Sequence, residues 1–219
     1  MRLNDRCVVI TGGGHGIGRA YAERCAGEGA AVAVADIDGD AAEVVAAAIV
    51  EAGGRAVGLK ADVRDLESMQ AVVARAEEAF GGVDGLINNA GMLTIIPISR
   101  VGFESIDEAE WDDVLDTNLK GTWLACKHAL PLLREYGFRA IVFVIPPMVD
   151  TGAPLLWPEV ADDQREHPGV MRSMPIANRS IKRIEVPEDL TGAAVFFLSS
   201  DSDYITGQTL VVEGGGILH

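Results

Sequence analysis

An apolar, β-branched run that breaks straight into glycine limits the possible folds of this chain more than any other feature. Cys7–Thr11 (CVVIT) leads into Thr11-Gly12-Gly13-Gly14-His15-Gly16-Ile17-Gly18, and a helical pattern from Gly16 to Glu28 follows. A buried strand, a tight glycine turn and a helix make the first half of a βαβ unit. The scheme then repeats. Strand patterns at Ala31–Asp36, Ala56–Asp62, Gly85–Asn88 and Ala140–Val144 alternate with helical ones at about Asp40–Ala52, Leu66–Phe80 and Glu108–Tyr136. The last of these helices is expected to be interrupted near Lys120-Gly121. Strands this continuously apolar belong to a sheet covered on both faces. The expectation is an α/β fold, a doubly wound parallel sheet, in a single domain spanning residues 1–219.

After Val144 the alternation fails. Pro146-Pro147 follows the fifth strand with no crossover helix, and Pro154, Pro158, Pro168 and Pro175 punctuate what comes next. Residues from about 152 to 182 therefore read as an excursion or lid. A helix over Pro187–Leu198 and a last strand over Gln208–Val212 close the pattern.

The glycine turn has a chemical reading. A dinucleotide pyrophosphate needs a close backbone approach and a helix N-terminus to meet its charge. Gly12, Gly16 and Gly18 supply the first, although their spacing is not the usual G-x-G-x-x-G; the alternative is a turn that binds nothing. Asp36 ends the second strand, eighteen residues beyond Gly18. A carboxylate there can accept both ribose hydroxyls and repel a 2′-phosphate, which favours NAD over NADP. The competing role is a helix N-cap, for which Asp38 or Asp40 is better placed. Asp62-Val63, ending the third strand, stands where an adenine would lie.

Composition excludes several classes. Eighteen Lys+Arg against thirty-three Asp+Glu give a net charge of −15, which disfavours nucleic acid and anionic membrane as partners. No apolar run is long enough to span a bilayer, and Met1–Arg6 lacks the blocks of a signal peptide. Cys7, Cys25 and Cys126 are odd in number and widely spaced, which suits buried thiols in the reducing cytoplasm. His15, His128, His167 and His219 show no metal-ligand spacing, and Ser199-Ser200-Asp201 has no histidine placed for a triad.

Taken together, several motifs resemble one family. Thr11-Gly12-x-x-x-Gly16-x-Gly18, Asp62-Val63, Asn88-Asn89-Ala90-Gly91 and Asn118 within Asp116–Gly121 are similar to those of short-chain dehydrogenases/reductases. Pro187-Glu188-Asp189 and Ile205-Thr206-Gly207-Gln208-Thr209-Leu210, before Gly214-Gly215, extend the resemblance over nearly the whole length. The C-terminal third looks most like bacterial NAD-dependent secondary-alcohol dehydrogenases. The resemblance implies a Rossmann-type sheet of about seven strands and reversible alcohol/ketone oxidoreduction with NAD, usually in a homotetramer. It implies that Gly12, His15, Gly16, Ile17 and Gly18 line the pyrophosphate and that Asp36 and Ile37 meet the ribose. Asp62 and Val63 would meet the adenine, Asn89, Ala90 and Gly91 the adenosine side, and Pro147, Val149 and Thr151 the nicotinamide end. Asn118 matches the catalytic asparagine that holds a water in the proton relay; its plainer role is to stabilise a helix interruption.

The family's chemistry also needs a tyrosine acid/base, a lysine four residues on that lowers its pKa, and a serine on the substrate oxygen. This chain has three tyrosines. Four residues beyond Tyr21, Tyr136 and Tyr204 stand Cys25, Ala140 and Gln208, so no Tyr-x-x-x-Lys occurs. The gap is a block: Val144 ends one strand, and Ile145–Thr151 resembles the segment that follows the next. A loop, a long helix and a sixth strand, on the order of 40 residues, should lie between them. Two readings follow: a working polypeptide that carries this segment in addition to the 219 residues, or a catalytically inactive dinucleotide-binding or scaffold protein of the same fold. Met92, Leu93, Ile95 and Ile96, with Leu155, Leu156, Trp157, Met171 and Met174, would wall a pocket for a hydrophobic alcohol or ketone. The same side chains could equally pack as core or face another subunit. Pro147, standing where the family pattern has glycine, would alter the nicotinamide contact.

Overall fold

The computed structural model describes residues 1–92, 103–135, 140–144, 180–183 and 185–215. Five parallel strands form one sheet: β1 (Cys7–Thr11), β2 (Ala31–Asp36), β3 (Arg55–Lys60), β4 (Gly85–Asn88) and β5 (Ala140–Phe143), in the order β3-β2-β1-β4-β5. The chain winds outward from β1 through β2 to β3, then returns to the other side of β1 with β4. That reversal opens a crevice at the carboxyl ends of β1 and β4, the place where such sheets bind ligands.

Alternation along the strands feeds two cores. Val8, Ile10, Val32, Val34 and Ile87 face α1 (Gly16–Gly27), α2 (Gly39–Glu51) and the last helix, α6 (Pro187–Leu198). Val9, Ala33, Ala35 and Leu86 face α3 (Leu66–Phe80) and α5 (Thr122–Glu135). Every residue of β1, β2 and β4 is buried, as the continuous apolar runs predict. Full burial of a side chain such as Ile10, Met69 or Leu86 stabilises the fold by about 1.5–3 kcal/mol.

Local signals set the helix ends. Asp65 caps α3 by accepting from Ser68 N at 3.0 Å, and Gly81 ends it in the left-handed region at φ 81°. Asp38 and Asp107 cap α2 and α4 (Glu108–Leu115) in the same way. The expected interruption is present: between α4 and α5 the backbone opens into a π-helical turn over Asp116–Gly121.

One expected element is absent. Gln208–Val212 forms no strand, and Leu210 and Val211 are about half exposed. By the resemblance, a closing strand would pair with a sixth strand, the unit expected between Val144 and Pro146. Without a neighbour's N–H and C=O groups, β-propensity does not hold a strand. Five strands rather than seven are therefore found among the described residues. No helix among them is long and apolar enough to cross a membrane. Most of the expected lid, together with Leu93, Ile95 and Ile96, lies outside the described residues.

Candidate functional site

The glycine turn fills the crevice between β1 and β4. Gly12 and Gly16 take φ of 65° and 50°, which side-chain-bearing residues rarely adopt. A Cβ on Gly18 would stand 1.9 Å from the Gly12 carbonyl oxygen, so helix and turn touch backbone to backbone. Helix α1 starts differently from its neighbours. His15 at its N-cap makes no side-chain cap, and its first turn holds no acidic residue. The first intrahelical donor is Arg19 N, bonded to the His15 carbonyl at 3.1 Å. The amides of Gly16, Ile17 and Gly18 therefore have no carbonyl beneath them, and the positive end of the helix is left open for an anion. Ile17 is buried beside them.

Asp36 closes the flank of the turn. Its Oδ2 accepts from Gly14 N at 2.8 Å and its Oδ1 from Asp38 N at 3.0 Å, with 7% of the residue exposed. The two amides fix the carboxylate at the tip of β2 and leave it capacity for further donors. Asp38, not Asp36, caps α2, so the competing role for Asp36 falls to its neighbour. Ile37 is exposed at the lip, and His15 Nε2 lies 3.8 Å from Asp38 Oδ2.

The Asn88–Gly91 loop braces the turn from the β4 side. Asn89 Nδ2 donates to the carbonyls of Thr11 and Gly12 at 3.1 and 3.0 Å, while Thr11 Oγ1 accepts from Asn89 N and Ala90 N at 3.1 and 3.2 Å. The Asn89 amide is thus engaged in holding the glycine turn. That bracing role for Thr11 and Asn89 was not legible in the sequence, because it joins residues 78 positions apart.

At the next strand end, Asp62 is gripped by Arg64. The fork of the guanidinium and the Arg64 backbone N–H bond both carboxylate oxygens at 2.8–3.1 Å, holding the Asp62 carboxyl below the usual carboxylate range. Val63 packs so tightly on the π-turn that a Cβ on Gly121 would lie 2.6 Å from Val63 Cγ2. In the same turn, Asn118 Oδ1 accepts from Met92 N at 2.7 Å, and Thr122 Oγ1 donates to the Asn118 carbonyl at 3.0 Å. The structure thus brings Gly12, Gly16, Gly18, Asp36, Asp62, Val63, Asn89, Ala90, Gly91 and Asn118 to one sheet edge. Pro147, Val149 and Thr151 lie outside the described residues.

The described tyrosines do not supply an acid/base. Tyr21 is buried in the core, and its phenol is pushed up to about 12, mainly by burial. That is away from the neutrality a proton shuttle needs. Tyr204 is fully exposed on the segment after α6.

Comparison with known proteins agrees with this geometry. The short chain dehydrogenase profile matches residues 6–152. The chain belongs to the short-chain dehydrogenase family. It is 32% identical over 260 residues to galactitol 2-dehydrogenase of Agrobacterium fabrum, covering 98% of each chain. It is 31% identical over 252 residues to 2,5-dichloro-2,5-cyclohexadiene-1,4-diol dehydrogenase of Sphingobium indicum, covering 97% of each. It is 32% identical over 256 residues to 2-(S)-hydroxypropyl-CoM dehydrogenase 3 of Xanthobacter autotrophicus, covering 98% of this chain and 97% of that one. These relatives are oxidoreductases named as dehydrogenases, of a family that uses nicotinamide cofactors. An alignment of 260 positions against a chain of 219 residues leaves at least 41 opposite gaps. Those gaps are about as many as the positions of the block expected between Val144 and Pro146.

Proposed function

We propose that these residues are the cofactor-holding part of an NAD-dependent dehydrogenase that moves a hydride between NAD(H) and a hydrophobic secondary alcohol or ketone. The observation that carries the reading is Asp36. A buried carboxylate fixed beside the glycine turn suits the paired hydroxyls of an unphosphorylated ribose and opposes a 2′-phosphate. The open amides of Gly16–Gly18 suit the pyrophosphate, and Asp62 and Val63 suit the adenine. NAD, when bound, supplies the hydride acceptor.

The chain's own contribution near the reacting end is Asn118. The opened π-turn leaves its backbone carbonyl bonded to the Thr122 hydroxyl and not within an ordinary α-helical ladder. That carbonyl retains capacity for a water in a proton relay. The proton donor itself belongs to a serine/tyrosine/lysine unit between Val144 and Pro146 that the 219 residues lack. Three free cysteines, two of them buried, support a cytoplasmic setting. The exposed row Trp111, Leu115, Leu119 and Trp123 on α4, the π-turn and α5 supports assembly of copies, a tetramer by resemblance.

A second reading has its own observation: without Tyr-x-x-x-Lys the chain binds the dinucleotide and does no chemistry. NADH formation with a panel of secondary alcohols, alongside NAD titration, separates the two. The dehydrogenase reading expects turnover from the form that carries the extra segment and binding alone from the 219 residues. If neither form binds NAD, both readings fail.

A further inference from the structure

The cofactor crevice lies at the carboxyl ends of the strands, and a second recess, of about 400 Å³, opens at their amino ends. It is lined by Cys7, Ala31 and Arg55, which begin β1, β2 and β3, and by Phe80 and Gly81 where α3 ends. Arg6 Nη1 donates to Asp84 Oδ1 at 3.1 Å and Cys7 N to Asp84 Oδ2 at 2.7 Å, so both oxygens of Asp84 are engaged and its charge is met. Two charged groups on the recess have no such partner among the described residues, the exposed Arg55 guanidinium and the exposed Asp5 carboxylate. Asp5 is held at φ 60° in a turn that Arg6 N closes on the carbonyl of the buried Leu3 at 3.2 Å. The Arg55 charge is felt at the wall, where it offsets part of the rise that burial and Asp84 impose on the Cys7 thiol. No basic residue stands in the last turn of α3, so the negative end of that helix borders the recess without a cation of its own.

We infer that this recess binds a small zwitterion, an α-amino acid with an apolar side chain, independently of the cofactor reading. The planar fork of Arg55 matches one carboxylate. Asp5 and the end of α3 favour a cation and oppose a dianion such as a phosphate monoester. A ligand with a carboxylate and an ammonium on one carbon gives each unpaired charge its opposite. A carboxylate alone brings a second negative charge towards Asp5, and an amine alone leaves Arg55 unmet. Buried Ala31 and half-buried Phe80 supply the apolar wall for a side chain. In a chain of net charge −15, a ligand that is neutral as a whole enters without opposition from the surrounding field.

The test is titration of the isotope-labelled chain, near neutral pH, with leucine and with its two halves, isocaproate and isoamylamine, followed by amide nuclear magnetic resonance. Leucine is expected to bind with a Kd of about 1 mM or below, shifting the amides of Cys7, Gly81 and Gly82. Each half is expected to bind about tenfold more weakly or worse, having lost one charge-assisted contact. Arg55→Met should weaken leucine by about tenfold or more. Asp5→Gly, which suits the left-handed φ, should weaken leucine likewise and leave isocaproate no weaker. The same spectra show that each variant is folded. Halves that bind as tightly as leucine overturn the inference, and so do folded variants that keep the original affinity. An absence of shifts at Cys7, Gly81 and Gly82 up to about 20 mM leucine overturns it as well.

Discussion

Replacing Asp36 by asparagine keeps the side chain's shape and removes its charge, so the cofactor preference should move in a calculable way. Asp36 is 7% exposed and is held by Gly14 N and Asp38 N. A 2′-phosphate placed about 5 Å from that carboxylate, at an effective dielectric of about 20, is opposed by about 3 kcal/mol for each unit of phosphate charge. That corresponds to about 100-fold in affinity. Asp36→Asn should therefore raise NADP affinity by about 100-fold. NAD should lose about tenfold, as charge-assisted bonds to the ribose become neutral ones. The amide retains one acceptor where the carboxylate had two, so Gly14 N or Asp38 N loses its partner. The expected loss of folding stability is about 1–3 kcal/mol. Isothermal titration with both dinucleotides, with thermal unfolding as control, reads all three effects. A NADP-to-NAD ratio that moves less than twofold, in a variant that remains folded, would refute the electrostatic argument.

Other outcomes follow from the same geometry. Thr11→Val removes the oxygen that accepts from Asn89 N and Ala90 N, and should cost about 2–4 kcal/mol in denaturant unfolding; a loss below about 1 kcal/mol would contradict the brace. Gly18→Ala places a methyl 1.9 Å from the Gly12 carbonyl oxygen, and NAD affinity should fall more than about tenfold as the turn is forced open; unchanged affinity would show that the turn has room. Burial pushes the Cys7 and Cys25 thiols up to about 12 and the half-buried Cys126 thiol upward as well. Near pH 8 a maleimide should label Cys126 first and the other two only on unfolding, as peptide mapping would show.

Elements that carry their own local signals were legible in the sequence. Helix α3 spans Leu66–Phe80 as read, because Asp65 and Gly81 mark its ends. The break in the long helix at Lys120-Gly121 was also legible, and Gly121 is required there because Val63 occupies the space of a Cβ. What depended on distant partners was not. Gln208–Val212 has strand composition but no neighbour, and so stays outside the sheet. The brace from Thr11 to Asn89 and the strap from Asp62 through Arg64 to Asp113 cross the chain by 78 and 49 positions. Only the opposite charges of Asp62 and Arg64, two positions apart, hinted at the second. That Val144 runs to Pro146 with no crossover between them is a property of the sequence alone.

The most direct test of the account is the intact mass of the polypeptide that carries alcohol-dependent NADH formation, purified by following that activity. A mass several kilodaltons above 23.2 kDa is expected, with the additional residues between Val144 and Pro146 and a Tyr-x-x-x-Lys among them. An active polypeptide of 23.2 kDa would contradict it, because a chain without that unit would then be moving the proton by other means.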